Sequence, residues 1–429
     1  MAKIAFFTLG CKSNQYETDR MMKAASDSGF EIVPYPGPAD TYIINTCTVT
    51  GNADKKSRHA IRYAKKINPS AKVIVTGCYV ETSDFNMSEA DLVISNKDKL
   101  NILKYIRDQR PEIGDLKNPT SHFTLSTSPF PLPTSNSPLI RSNLMIENGC
   151  ENHCSYCIVP HVRGKITSMP FDQVIAEAKQ MVKDGVKEIV LTGINLGEYG
   201  SSLTSLINEL SSIDGLLRIR LSSIEHMHVD DALIKTIKEN PKVCNHLHIP
   251  LQSGDDWILR AMNRNYTAED YMALTKKIKK QIKDIAITTD IIIGFPGEDE
   301  KAFKNTLKLV DKIQFSRIHI FSYSDRPGTP ASKFKDKVDP KTIINRHERL
   351  GKLREKYMLK FHRSFSKKPI DVLIEHKNKR TGMYEGLTSN YIRAFITGGN
   401  IDDRSIGNII PVKSKDCQVE HVIASPVLV

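Results

Sequence analysis

From Lys3 onward the chain alternates short β-branched or aromatic runs with polar stretches of helical period. "KIAFFTLGC" precedes a helix predicted from about Asn14 to Ser28 and stopped by Gly29. "TYIINTC" precedes a basic helix stopped before Pro69, and "KVIVTGC" repeats the phrase. This is the strand–turn–helix rhythm of a parallel α/β domain. Each run delivers a cysteine, Cys11, Cys47 or Cys78, just past the C-terminal end of its strand. Ligands of open parallel sheets bind outside those ends, so three cysteines spaced about thirty residues apart are expected to meet in space.

Residues 111–138 are rich in Pro, Ser and Thr and have neither period, which predicts a linker pinned by Phe123 and Phe130. The alternation then resumes. Strands are predicted at "SNLMIEN", "KEIVLTGI", "LLRIRLSS", "HLHIPLQS", "AITTDIIIGF" and "RIHIFSYS", with amphipathic helices between them such as "FDQVIAEAKQMVKDG" and "DEKAFKNTLKLVDKI". Six βα units argue for a parallel barrel or partial barrel whose chemistry lies at the C-terminal strand ends. Past Pro369 the runs "IDVLIEH", "YIRAFIT", "NIIPVKS" and "DCQVEHVI" predict a small OB-like β-barrel. The expected architecture is therefore α/β, with an N-terminal parallel domain over 1–110, a linker over 111–138, a partial (β/α)6 barrel and basic helix over 139–368, and the β-barrel over 369–429.

Composition narrows the class. With 429 residues, 40% hydrophobic and 26% charged, the chain predicts a globular protein of two or three domains. No apolar run approaches the ~18 residues of a membrane span or reads as a secretory leader, which predicts a cytoplasmic protein. In a reducing compartment eight cysteines read as metal ligands or redox groups sooner than as disulfides. The net charge of +12 permits a polyanionic partner. Its placement says more, since Lys341 to Lys368 carries ten Lys/Arg against Glu348 and Glu355, and Asp54 to Lys72 carries seven against Asp54 alone. Two such runs favour nucleic acid over merely solvated helix faces. The segment from Pro369 is formally neutral, so RNA contact there would rest on shape and on aromatics such as Tyr384 and Tyr391.

The stretch "ENGCENHCSYCIVPHVRG" sets Cys150, Cys154 and Cys157 at the spacing Cys-x3-Cys-x2-Cys. A closed zinc site or an electron-transfer cluster uses four protein ligands, whereas three leave a metal position open. The bland alternatives are a zinc knuckle completed by His153 or His161, and free core cysteines.

Cys-x3-Cys-x2-Cys, preceded by Cys11, Cys47 and Cys78 and followed by "LHIPLQSGDDWILRAMNRNYT", "TTDIIIGFPGE" and "FSYSDRPGTPAS", resembles the radical S-adenosylmethionine (SAM) methylthiotransferases along essentially the whole chain. The resemblance implies a methylthiotransferase domain, a radical SAM partial barrel and a TRAM domain. It implies two [4Fe-4S] clusters: Cys150, Cys154 and Cys157 hold the one that cleaves SAM, and Cys11, Cys47 and Cys78 the auxiliary one that carries sulfur. An aromatic C–H such as C2 of adenine has no acidity for a side-chain base to exploit, which is why a radical is needed. The same resemblance implies tRNA as substrate, a low-potential electron donor such as flavodoxin or ferredoxin, and a sulfur source. It makes Gly193 and Asn195, after the second strand, candidates for the SAM pocket; by position Arg220, Ser222 and Glu225 at the third strand end, Gln252 at the fourth and Asp290 within the fifth are further candidates, with Ser253 serving or bracing it. Gly294, Pro296 and Gly297 shape a turn.

Ser13, His161 and Met169 depart from the family's commonest text, which has Val, Tyr and Arg at these places; Arg163 or Lys165 is the expected compensation for Met169. Cys244 and Cys417 lie outside both triplets and are expected to be structural. "TLGCKSNQYETD" looks like the branch that modifies N6-threonylcarbamoyladenosine next to the anticodon, at tRNA position 37. The alternatives are the branch acting on isopentenyladenosine, the branch acting on a ribosomal protein, and a non-catalytic RNA-binding protein with metal clusters.

Overall fold

The computed structural model describes residues 1–107, 139–366, 368–399 and 401–427. The predicted linker over 111–138, with Phe123 and Phe130, lies outside the described residues, as does Lys367. The described residues form two compact units. The first comprises those up to Arg107 with Gly149–Glu151 and Ile158–Lys165; the second comprises 139–148, Asn152–Cys157 and the remainder.

In the first unit β1 (Lys3–Thr8), β2 (Glu31–Val33), β3 (Thr41–Thr46), β4 (Lys72–Gly77) and β5 (Leu92–Val93) form an all-parallel sheet in the order β2-β1-β3-β4-β5. Both faces are covered, as a parallel sheet requires. Tyr42 and Ile44 pack with Ala60, Ile61 and Ala64 of α2 (Gly51–Ile67) on one face. Ile43 packs with Met21 and Ala25 of α1 (Lys12–Asp27) and Ile102 of α3 (Ile102–Arg107) on the other. The helix after β1 begins at Lys12 and ends at Asp27, close to its predicted bounds. Its N-cap is Cys11, which offers no capping side chain, so the helix start places a thiol where Ser or Asp would normally sit. The helix after β3 is capped by the Thr50 side chain on the Ala53 amide. The last helix of this unit, α4 (Val159–Arg163), lies directly downstream of the Cys-x3-Cys-x2-Cys motif.

The second unit holds all six predicted strands: β6 (Arg141–Met145), β9 (Glu188–Thr192), β10 (Arg218–Leu221), β11 (His246–His248), β12 (Ala286–Ile293) and β13 (Arg317–Ser322). Between β6 and β9 a short hairpin pairs β7 (Glu147–Asn148) with β8 (Thr167–Ser168). The parallel arcs β10-β9-β6 and β11-β12-β13 are joined by the bridges Ile219–Val243 and Ser223–His248. This is the expected partial barrel. Its helices are α5 (Phe171–Lys183), α6 (Leu203–Ser211), α7 (Asp231–Glu239), α8 (Asp256–Ala261), α9 (Ala268–Gln281) and α10 (Glu300–Ile313), followed by the long basic α11 (Pro340–Arg363).

The chain closes with a five-stranded barrel, β14 (Pro369–Lys377), β15 (Tyr384–Thr388), β16 (Arg393–Ile396), β17 (Ile409–Cys417) and β18 (Val422–Pro426), in the order β14-β15-β16-β18-β17. Strand β15 is not among the expected strands, because "YEGLT" lacks alternation when every one of its residues is buried. The run "DCQVEHVI", expected as one strand, is divided by a turn between Cys417 and Val422. Among the described residues no helix is long and apolar enough to cross a membrane.

Candidate active site

In the first unit the three strand-end cysteines stand as predicted. Gly77 makes the turn before Cys78 at φ +99, and a Cβ there would lie 2.4 Å from the Thr46 carbonyl oxygen, so only glycine lets β4 close on β3 at this point. Cys11 is exposed and Cys47 and Cys78 are buried. Burial pushes the Cys47 thiol up to about 11, with the neighbouring Cys78 and Cys11 adding to the shift. Three mutually repelling sulfurs in such a pocket ionise together only around a positive centre, which is the donor set that an iron–sulfur cluster fits. Among the described residues the only three His, Cys, Asp or Glu side chains with ligand atoms within 4.8 Å of one another are His248, Asp290 and His319, so Cys11, Cys47 and Cys78 are not drawn in as tightly as around a single ion.

The neighbours of these sulfurs were not legible in the sequence. Asn14 accepts the Cys11 thiol at 3.3 Å and donates to the Thr46 carbonyl at 2.9 Å. Arg163 brings its Nε to 3.2 Å from the Cys78 sulfur, forks onto Glu17 and donates to Asn14. Lys99 closes the group by pairing with Glu17. Arg163 is thus enclosed in the first unit and does not stand in for the basic residue lacking at Met169, which is itself buried; Lys165 is exposed.

The Cys-x3-Cys-x2-Cys segment leaves the β7 end, with Cys150 grouped in the first unit and Cys154 and Cys157 in the second. Within the second unit the Ser155 amide donates to the Met262 carbonyl at 3.1 Å and its hydroxyl to that of Ala261 at 2.7 Å, while Cys157 N donates to Cys154 O at 3.0 Å. Arg264 donates to the Cys154 sulfur at 3.4 Å and is gripped by both oxygens of Glu225. Glu225, a SAM candidate from sequence, therefore orients the arginine that touches the Cys154 sulfur. His153 and His161, the zinc-knuckle candidates, are both exposed.

The remaining candidates divide. Gly193 approaches Glu147 so closely that a Cβ would lie 2.6 Å from its carboxylate, and that carboxylate accepts the Asn195 amide at 2.7 Å. Asn195 is 2% exposed, yet neither polar atom of its side chain has a partner; the Ser222 hydroxyl and Gln252 Oε1 are buried in the same condition. Three unsatisfied polar side chains past the ends of β9, β10 and β11 call for a polar ligand, since such groups are seldom left without one. Asp290 is half-buried and faces His248 Nε2 at 3.2 Å, with His248 Nδ1 held by Thr288. Ser253 is a brace, its hydroxyl accepting the Asp255 amide.

Arg220 departs from its expected role. Fully buried, it pairs with Glu188 and donates to the Thr388 and Ser389 carbonyls, and Tyr391 lies under its guanidinium at 4.9 Å. It fastens the terminal barrel, giving four of its five N–H donors to Glu188, Thr388 and Ser389. Tyr391 also stacks on His246 at 4.5 Å, and Tyr384 is a core residue donating to Asp403, so neither aromatic offers a free face to RNA. Cys244 is buried beside Arg220 and Glu188, with its thiol pushed up to about 12; Cys417 packs against the terminal core.

Comparison with known proteins fits this geometry. Residues 145–310 match the radical SAM superfamily and residues 3–95 the uncharacterized protein family UPF0004. The chain is 37% identical over 425 residues to the Bacillus subtilis threonylcarbamoyladenosine tRNA methylthiotransferase MtaB, covering 96% of this chain and 94% of that protein. This chain belongs to the radical SAM methylthiotransferase family. A second methylthiotransferase, the tRNA-2-methylthio-N(6)-dimethylallyladenosine synthase of Endomicrobium trichonymphae, is 33% identical with 97% of each chain covered. The radical SAM methyltransferase TsrM from Kitasatospora setae shares the fold at a TM-score of 0.55 and 14% identity, over 75% of this chain and 73% of that one. For a methylthiotransferase, the unsatisfied side chains at the barrel's strand ends and the two cysteine triplets are the features that need explaining.

Proposed function

We propose that this chain methylthiolates C2 of N6-threonylcarbamoyladenosine at position 37 of tRNA, using SAM both as methyl donor and as radical source. The observation that carries the reading is near-full-length identity to a protein named for that reaction, which runs through both cysteine-bearing regions. Cys150, Cys154 and Cys157 would hold the SAM-cleaving [4Fe-4S] cluster, and Cys11, Cys47 and Cys78 the auxiliary one. Bound there, the clusters supply the electron that cleaves SAM and the sulfur that is transferred.

The chain's own residues do the rest. Arg264, held by Glu225, hydrogen-bonds the Cys154 sulfur. Asn195, Ser222 and Gln252 offer the unsatisfied polar atoms for SAM, with Gly193 allowing Glu147 to fix the Asn195 backbone. The exposed cations of α2 and α11 would take up tRNA phosphates. On this reading the domains run 1–110, 139–368 and 369–429 about a 111–138 linker, the protein is cytoplasmic, and a low-potential electron donor such as flavodoxin or ferredoxin and a sulfur source are its other partners.

The second reading, methylthiolation of isopentenyladenosine, is favoured by one observation, the 33% identity to a dimethylallyladenosine synthase. Nucleoside mass spectrometry of tRNA from a deletion strain decides between them. Loss of the methylthiolated threonylcarbamoyl nucleoside, restored with the gene, is the expected outcome; loss of the isopentenyl form selects the second reading.

A further inference from the structure

Arg163 lies six residues beyond Cys157, yet it is enclosed in the first unit with its side chain 1% exposed. Its guanidinium is committed on every edge. Nε points at the Cys78 sulfur at 3.2 Å, one terminal nitrogen reaches Glu17 Oε1 at 2.5 Å, and the other reaches Asn14 Oδ1 at 2.7 Å and Glu17 Oε2 at 3.1 Å. Glu17 and Asn14 are themselves buried and held, Glu17 by Lys99 and Asn14 by Asn45 and the Thr46 carbonyl. The arginine therefore cannot swing away from the sulfur without breaking a buried ion pair.

This placement is more than a packing solution. The same Asn14 oxygen that accepts from Arg163 lies 3.3 Å from the Cys11 sulfur, so Arg163 reaches two of the three cysteines, Cys78 directly and Cys11 through Asn14. Asn96 adds a long contact of 3.8 Å to the Cys78 sulfur while donating to the Val162 carbonyl, which holds the helix end that carries Arg163. Hydrogen bonds to ligand sulfurs and net local charge are the protein's main means of setting an iron–sulfur potential. A buried guanidinium aimed at one ligand sulfur supplies both.

We propose that Arg163 is a positioning residue for the auxiliary cluster, holding an N–H···S hydrogen bond on Cys78 that fixes this ligand and raises the cluster's reduction potential. The inference rests on the reading of Cys11, Cys47 and Cys78 as cluster ligands. Lysine retains the charge but not the planar fork, so it cannot serve Cys78, Asn14 and Glu17 together.

The test uses the full-length chain carrying Cys150→Ala, Cys154→Ala and Cys157→Ala, reconstituted anaerobically so that only the auxiliary site is read. With 15N-labelled arginine, pulsed electron paramagnetic resonance of the reduced cluster should show a guanidino nitrogen coupling that disappears in Arg163→Lys. A potentiometric titration should give a more negative midpoint in Arg163→Gln and a smaller shift in Arg163→Lys. If Arg163→Gln fails to fold, the nitrogen coupling in the chain that keeps Arg163 decides alone. A chain that binds about four iron and four sulfide but shows no arginine coupling, or the same midpoint in folded variants, overturns the inference and leaves the ligand reading standing. A chain that binds no iron overturns both.

Discussion

Arg220 forks onto Glu188 at 2.7 and 3.2 Å, both side chains wholly buried, and also donates to the Thr388 and Ser389 carbonyls of the terminal barrel. One guanidinium thus ties the third strand of the partial barrel to the second and to the terminal barrel. Arg218 reinforces the junction through the Leu387 and Asp371 carbonyls at 2.6 and 2.9 Å.

Removing one partner of such a pair leaves the other charge buried. Arg220→Met is expected to destabilise the folded chain by about 3–5 kcal/mol, read by denaturant unfolding followed at the second unit. SAM affinity of whatever fraction remains folded should be unchanged; a selective loss of SAM binding without loss of stability would restore Arg220 to the pocket.

The same pair sets an acid limb. Burial alone would raise the Glu188 carboxyl above its ordinary 4.5, but the adjacent Arg220 outweighs burial and holds it lower. A carboxylate depressed in the folded state contributes stability that is present above 4.5 and is lost as pH falls through the folded value. Stability should therefore decline as pH drops below about 4.5, and Glu188→Gln should flatten that part of the curve. Equal acid slopes in both proteins would show that the pair does not govern the limb.

Asn195 gives the contrasting case, a buried amide with no partner of its own. Asn195→Ala should weaken SAM binding about tenfold, the worth of one or two hydrogen bonds, with stability within ~0.5 kcal/mol of the parent. Equilibrium binding to the reconstituted protein checks this. Unaltered affinity would mean that the amide serves something other than SAM.

Much of this was legible because it is local. The strands carrying Cys11, Cys47 and Cys78 and the six barrel strands announce themselves by period and by turn residues. What the sequence hid is long-range pairing. Glu17 meets Arg163 across 146 positions, and Arg220 meets Ser389 across 169, and nothing at either end marks the partner. Reading Arg220 by its strand-end position put it in the SAM pocket, because strand pattern does not reveal that a terminal barrel's carbonyls await it. For the same reason Tyr384 and Tyr391, aromatic and flanked by turn residues, looked available when each was already engaged.

The two cysteine triplets should separate by readout. Alanine at Cys150, Cys154 or Cys157 is expected to abolish reductive SAM cleavage, seen as loss of 5′-deoxyadenosine. Alanine at Cys11, Cys47 or Cys78 should leave that cleavage in place and abolish methylthiolated product, because on the proposed reading each set holds a different cluster. Product from the second set, or 5′-deoxyadenosine from the first, would refute the division.

On α11 the structure sorts charges that the sequence could only count. Arg346 is 3% exposed and donates to Glu298, with Phe303 beneath it, so it belongs to the core. Arg349 is paired with both oxygens of Glu300. Lys352, Lys356 and Lys360 lie at exposed positions four residues apart on one helix face, whereas Arg354, two positions from Lys352 and Lys356, is half-buried on another face. Lys356 pairs with exposed Asp311 and lies over the Tyr357 ring, and Lys360 donates to Gln314; the ion pair and the hydrogen bond are of the kind that phosphate can displace. Neutralising Arg354, Lys356 and Lys360 together should reduce the slope of log K against log salt for tRNA binding by up to ~0.7–0.9 for each phosphate that is no longer neutralised. Arg346→Met, by contrast, should lower stability and leave the slope of the folded protein alone. A triple variant with the parent's slope would mean that these charges meet solvent and not tRNA, and would move the electrostatic footprint to the exposed Lys55, Lys56, Arg62 and Lys66 of α2.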